Sequence, residues 1–192
     1  MRWIDDLRAA ARSHGVEART PELQRFIELF IRWNDKINLS AARKPDEVTL
    51  QVVDCLSLLP YLSGVTTLID VGSGGGLPGL VLALIVPTLQ VRSLEPVNKK
   101  AAFQSTAVRE LGLSVDVQPR RVDPAIDNGF DAAVSRATFD LLEWLSLGAQ
   151  LVKPGGLVLG MEGRDQRALP PNAERLPYDH GDRTRAIIRY RP

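Results

Sequence analysis

The densest chemistry in the chain lies in one stretch, Leu68-Ile-Asp-Val-Gly-Ser-Gly-Gly-Gly-Leu-Pro-Gly, which ends at Gly79. Asp70 closes an apolar run. Gly72, Gly74 and Gly76 then alternate with Ser73 and Gly75, and Leu77 follows. Glycines admit positive φ and let a ligand come close to the main chain, whose N–H groups can line a polar cradle. Downstream, Glu95 closes a second apolar run. A carboxylate in that place can accept hydrogen bonds from both hydroxyls of a ribose. Together these positions predict an adenosine-containing ligand at the ends of two neighbouring strands. The dinucleotide pattern G-x-G-x-x-G is not met, because its last position is Leu77, and the spacing is G-x-G-x-G instead. A merely tight turn does not need three alternating glycines.

The elements that must hold these residues follow from hydrophobic periodicity. Apolar runs at 66–71, 89–94, 113–117, 130–134 and 157–161 read as strands, and the segments 77–86, 99–111 and 139–151 between them read as helices. Strands alternating with helices predict an α/β fold, a mostly parallel sheet covered by helices on both faces. Lys153-Pro-Gly-Gly reads as a turn. Before Gly64 the pattern is helical. Leu23, Phe26, Ile27, Phe30 and Ile31 repeat as one face of a helix, with Thr20 as N-cap and Pro21 at the first helical position. Shorter helices are expected near 4–13 and from Pro45 to about 62. The tail at 185–190 reads as a strand after a proline- and charge-rich stretch, giving an antiparallel C-terminal edge. The division expected is a helical extension over 1–64, packed on a ligand-binding domain over 65–192.

Bulk properties exclude several classes. With 24 basic and 23 acidic residues the net charge is +1, far from the excess of a non-specific nucleic-acid binder, so an RNA partner must be met by a local patch. The single cysteine, Cys55, rules out an internal disulfide and a cysteine-based zinc cluster, and its apolar neighbours read it as a small buried hydrophobe. No metal is expected. The first residues carry no signal sequence, and no apolar run approaches the ~20 residues of a membrane span. The expectation is a cytoplasmic monomer.

The G-x-G-x-G loop with Asp70 before it and Glu95 after it resembles the first motif of class I methyltransferases, whose loop wraps the methionine and sugar of S-adenosylmethionine. Further stretches are similar to the RsmG/GidB family of bacterial 16S ribosomal RNA guanine-N7 methyltransferases. These are Trp33-Asn34-Asp-Lys-Ile-Asn38-Leu-Ser, Asp54-Cys-Leu, Lys99-Lys100, Ser135-Arg136-Ala and Lys153-Pro-Gly-Gly, and the similarity spans nearly the whole chain. The resemblance implies a Rossmann-like fold, S-adenosylmethionine as cofactor, and ribosomal RNA or the small ribosomal subunit as partner. It implies cofactor contacts at Gly72, Leu77, Val122, Asp123 and Arg136, with Asp123 at the adenine amino group. Asp70, Ser73, Gly74, Gly76 and Glu95 complete the expected cofactor set.

Guanine N7 already carries a lone pair, so methyl transfer to it needs alignment more than a general base. Asn38, Lys99 and Arg136 are the candidates for holding the base or its phosphates. Each has a plainer role open to it: Asn38 as a helix cap, Lys99 as a surface residue opening a helix, Arg136 as the partner of a carboxylate. The chain also departs from the family. Leu50 and Gln51 stand for an Arg-His pair, Cys55 for a serine, and Glu162-Gly163 for Lys-Gly, while Gly181-Asp182-Arg183 keeps an acid–arginine pair. An anion at 162 reverses the local interaction with phosphate. These departures leave open a redirected, small-molecule methyltransferase and a non-catalytic, cofactor-binding ribosome-associated module.

Overall fold

The computed structural model describes residues 2–136, 138–162, 168–180 and 183–192. Seven strands form one sheet: β1 (Thr67–Val71), β2 (Gln90–Leu94), β3 (Val115–Gln118), β4 (Phe130–Arg136), β5 (Val152–Glu162), β6 (Ala173–His180) and β7 (Arg183–Tyr190). Their order is β3-β2-β1-β4-β5-β7-β6. The first five are mutually parallel, and β7 lies antiparallel between β5 and β6. The strand order reverses between β1 and β4, and in open α/β sheets that is where a crevice opens at the carboxyl ends of the strands.

Period-two alternation sends Leu68 of β1 to one face and Ile69 to the other. Leu68 joins a core with Val91, Ala132 and Leu159, whereas Ile69 packs with Ala133, Val158 and Trp144. Helix α4 (Gly79–Ile85) follows β1, α5 (Asn98–Leu111) follows β2, and α6 (Leu141–Leu151) precedes β5. The indole N–H of Trp144 donates to the Leu159 carbonyl at 2.9 Å, so this buried aromatic is also polar-satisfied.

The extension comprises α1 (Arg2–Ser13), α2 (Thr20–Ile37) and α3 (Pro45–Leu56). Its apolar stripe does not close on itself. Leu23, Phe26 and Phe30 of α2 share one core with Leu80 and Val81 of α4 and Phe103 of α5. The Phe30 and Phe103 rings meet edge to face with centroids 5.5 Å apart, and the half-buried Trp33 packs against this core with its ring 5.8 Å from Phe103.

Several boundaries differ from the expected ones. Thr20 is the first residue of α2 rather than its cap; its hydroxyl donates to the Glu17 carbonyl, in a short 3-10 turn over Glu17–Arg19, at 2.7 Å. Lys153-Pro-Gly-Gly is not a free turn but the irregular start of β5, where the pairing with β4 shifts register and Gly155 takes φ +75°. Within the proline- and charge-rich stretch lies a full strand, β6. Gly181 and Asp182, and Gly163 beside Glu162, lie outside the described residues. Among the described residues no helix is long and apolar enough to cross a membrane, and no acidic, histidine or cysteine cluster suits a metal ion.

Candidate active site

The glycine loop is bound to the end of the neighbouring strand before any ligand is considered. The Gly72 and Ser73 amides both donate to the Leu94 carbonyl, at 2.9 and 3.3 Å. Gly72 has φ +71°, and a β-carbon there would stand 2.4 Å from the Thr138 side chain, so the position admits only glycine. Gly75 packs its main chain on the Phe30 ring, where a β-carbon would lie 2.3 Å from the ring edge. Gly74 is different: with φ +57° it has nothing within 4 Å of that position, so the backbone is open on one side.

Ser73 does not point its hydroxyl at the open side. With Ser93 and Gln104 it forms a buried polar triangle. The Ser93 Oγ lies 2.6 Å from both the Ser73 Oγ and the Gln104 Oε1, and the Gln104 amide donates to the Ser73 Oγ and the Gly74 carbonyl, each at 2.8 Å. Nothing in the sequence marks Ser93 or Gln104, because both lie inside otherwise ordinary elements. Glu95, only 4% exposed, accepts from the Gly74 amide at 2.7 Å with one carboxylate oxygen and from the Val97 amide at 2.8 Å with the other. Each oxygen retains a second lone pair. Glu95→Ala is therefore expected to loosen the loop as well as remove the ribose acceptor, weakening S-adenosylhomocysteine binding by roughly tenfold or more in calorimetry, the worth of a charge-assisted hydrogen bond. Unchanged affinity would remove Glu95 from the site.

Asp70 is wholly buried. Its Oδ2 accepts from the Gly79 amide at 2.7 Å, at the start of α4, and its Oδ1 has no hydrogen-bond partner. Burial pushes its carboxyl up to about 7, with the Gly79 N–H and the Arg136 charge opposing. Gly76 packs against Leu80, and Leu77 is buried beside the loop.

After β3 the chain turns through Val122 and the exposed Asp123, whose Oδ1 accepts from the Ala125 amide at 3.0 Å. The anchor of this turn is Asp127, which carries no sequence signal of its own. It is fully buried and accepts from both terminal nitrogens of Arg120, at 2.6 and 2.7 Å, and from the Asp123 amide at 3.0 Å. The Arg120 hydrogen bonds hold its carboxyl below the usual range.

At the end of β4, Arg136 has the carboxylate partner that is the plainer role open to it. It lines a cleft of about 190 Å³ with Gly72, Ser73, Gly74, Leu77 and Thr138, and its Nη1 lies 3.8 Å from the Asp54 carboxylate. Asp54, on α3, is fully buried and is the hub of this corner. It accepts from the Tyr178 hydroxyl and from Arg185, each at 2.5 Å, and His180 Nδ1 lies 3.7 Å away. Burial pushes the Tyr178 hydroxyl up and the His180 imidazole down. The neighbouring Cys55 is likewise buried, its thiol pushed up by burial, in keeping with an inert residue.

The other candidates fall outside the cleft lining. Asn38 ends α2 in the left-handed conformation, φ 56°, and its exposed side chain accepts from Arg43. That is the cap role. Lys99 is exposed on the first turn of α5, and the cleft is lined by its neighbour Lys100. The extension contributes Phe30, Leu39, Ser40 and Gln51 to the same cleft. Asn34 shapes this contribution: buried, it accepts from the Ser40 amide at 3.0 Å and donates to the Ala42 carbonyl. Glu162 is not a free anion, since Arg175 of β6 grips both its oxygens at 2.7 and 2.9 Å.

Comparison with known proteins gives a consistent picture. Residues 19–175 match the GidB family, described as rRNA small subunit methyltransferase G. A ribosomal RNA small subunit methyltransferase G of Aromatoleum aromaticum is 43% identical, covering 87% of this chain and 84% of its own. One from Myxococcus xanthus is 35% identical over 97% of both chains. Among solved structures, a hypothetical protein of Thermus thermophilus superposes with TM-score 0.61 at 21% identity, over 82% of this chain and 92% of that one. The 16S rRNA N2 methyltransferase RsmC of the same species, solved with AdoMet and guanosine, gives TM-score 0.57 at 16% identity, over 74% of this chain and 43% of that one.

Proposed function

Because the chain belongs to the rRNA small subunit methyltransferase G family, we infer that it is an S-adenosylmethionine-dependent enzyme that methylates N7 of a guanine in 16S ribosomal RNA. The observation that carries this reading is the glycine loop held by Glu95 at the strand-order reversal, opening into the cleft that Arg136 lines. The residues present fit the cofactor: the Gly74 backbone is open on one side, and the amide oxygen of Gln51, which lines the cleft, has no donor within the protein.

S-adenosylmethionine supplies an electrophilic methyl group on a sulfonium. Glu95 would accept from the ribose hydroxyls, and Val122 and Asp123 would meet the adenine, Asp123 at its amino group. Gly72, Gly74, Gly76 and Leu77 shape the main chain around the amino-acid end, with Ser73 and Asp70 fixing the loop from beneath. Arg136 holds the guanine or an adjoining phosphate. No side chain needs to remove a proton before attack by N7, so catalysis rests on alignment. Asn38, the cap of α2, and Lys99, on the first turn of α5, lie outside the cleft lining but are exposed where an RNA phosphate could reach them. The same reading has the protein acting in the cytoplasm as a monomer, with residues 1–64 as an extension that helps build the cleft. The Glu162–Arg175 pair removes the main reason for a redirected substrate, because the anion at 162 is neutralised within the sheet.

The test is transfer of labelled methyl from S-adenosylmethionine to purified small ribosomal subunits lacking the modification, followed by nucleoside analysis. N7-methylguanosine is the expected product; no transfer by protein that binds the cofactor would overturn the reading. Arg136→Ala is expected to lower methyl transfer on the order of 100-fold, the cost of misplacing a reactant by about 1 Å, with a smaller effect on thermal stability. Full activity in the purified variant would make Arg136 dispensable.

A further inference from the structure

Gln51 lies on α3, outside the methyltransferase fold proper, yet it lines the same cleft as Gly72, Gly74 and Arg136. Its amide nitrogen reaches the Ser40 Oγ only at 3.4 Å, near the limit of a hydrogen bond. Its amide oxygen is sealed from solvent and accepts from nothing. Buried acceptors in folded proteins are almost always satisfied, and one left alone in a cleft asks for an explanation in terms of function.

The donors of the ligand narrow the choice. On the proposed function, which this inference rests on, the ribose hydroxyls fall to Glu95 and the adenine amino group to Asp123. The remaining donor of an adenosyl-amino-acid ligand is its α-ammonium, a cation with three N–H groups and no acceptor capacity. Of the polar side chains lining the cleft beside Gln51, Lys100 and Arg136 are cations and cannot accept from it, and the Ser40, Ser73 and Thr138 hydroxyls are already engaged within the protein. An uncharged acceptor supplied by the extension meets that need. A histidine side chain at the same position could present an acceptor nitrogen in its place.

We propose that the Gln51 amide oxygen accepts a hydrogen bond from the α-ammonium of the cofactor's amino-acid end, so that the helical extension contributes directly to cofactor binding. The experiment is calorimetry with two probes: S-adenosylhomocysteine, which carries the ammonium, and 5′-methylthioadenosine, which lacks the amino-acid end. Gln51→Met keeps the side-chain length and removes the acceptor. It should weaken S-adenosylhomocysteine binding about tenfold, equivalent to ~1.4 kcal/mol, and leave 5′-methylthioadenosine binding unchanged. Gln51→His should restore most of the loss. Thermal melts of each variant, with Gln51→Ala as a second probe, establish that the fold is intact.

Unchanged S-adenosylhomocysteine affinity in folded Gln51→Met and Gln51→Ala overturns the proposal. So does an equal loss for both ligands, which would mean that Gln51 acts on the loop as a whole. A defect confined to the KM for ribosomal subunits overturns it in favour of an RNA contact. If the unaltered protein binds neither ligand, the cofactor reading itself falls, and the proposal with it.

Discussion

Asp54→Ala is expected to cost about 3–5 kcal/mol of folding stability, as removing one partner from a buried ion pair does. The reason is arithmetic of charge. One carboxylate from α3 faces Arg185 and Arg136, and it also accepts from the Tyr178 hydroxyl. Without it, a cation from β7 and a hydroxyl from β6 are left without their acceptor, and the extension loses its polar tie to the C-terminal hairpin. Urea unfolding measures the loss. Asp54→Asn should be milder, since an amide oxygen can still accept from Tyr178. Adding Arg185→Met to Asp54→Ala should recover part of the stability by removing the charge left behind. A cost below ~1 kcal/mol for Asp54→Ala would show that solvent takes over the role, and that the corner is not held by this residue.

Phe30→Ala is expected to cost a similar ~3–5 kcal/mol, the usual range for deleting a buried phenyl ring. Here the loss has a functional side. The ring touches Phe103 and Phe26, and it is the surface on which the Gly75 backbone rests. A cavity at that point leaves the glycine loop without its support at Gly75. Thermal unfolding should fall by about 2–4 °C for each kcal/mol in a chain of this size, and S-adenosylhomocysteine affinity should fall with it. A destabilised variant with full affinity would separate the core from the loop.

Much of this is readable in the sequence, for definite reasons. The glycine spacing, Asp70 and Glu95 declare themselves because only glycine suits the close approach at Gly72, and because each carboxylate interrupts or follows an apolar run at the carboxyl end of a strand. Strands β1, β4 and β5 are apolar enough to show as runs, and β2 and β3 show through Val91 and Leu94 and through the alternation of Leu113, Val115 and Val117 with polar residues. β6 does not show, since Arg175, Pro177 and Asp179 break the apolar signal on an edge strand. What depends on β6 is hidden with it: Glu162 reads as an uncompensated anion only because its partner Arg175 lies on an element that the pattern conceals. Asp127 and Gln104 escape for a different reason. They act through hydrogen bonds to main chain and to residues brought near by folding, and local spacing carries no trace of those. For Arg136 the structure shows the plainer role, partner of the Asp54 carboxylate, on a residue that also lines the cleft.

The position of β7 has a consequence for how the molecule is made. The last strand in the sequence is not the last in the sheet; it is flanked by β5 on one side and β6 on the other. During synthesis the chain emerges amino end first, so the extension and β1 to β5 can assemble while β5 still has a bare edge and Asp54 has neither Tyr178 nor Arg185. Only when residues up to Tyr190 are released can the hairpin dock, cover that edge and neutralise the buried carboxylate in one step. Docking of β7 against β5 and completion of the set of partners around Asp54 are thereby the same event.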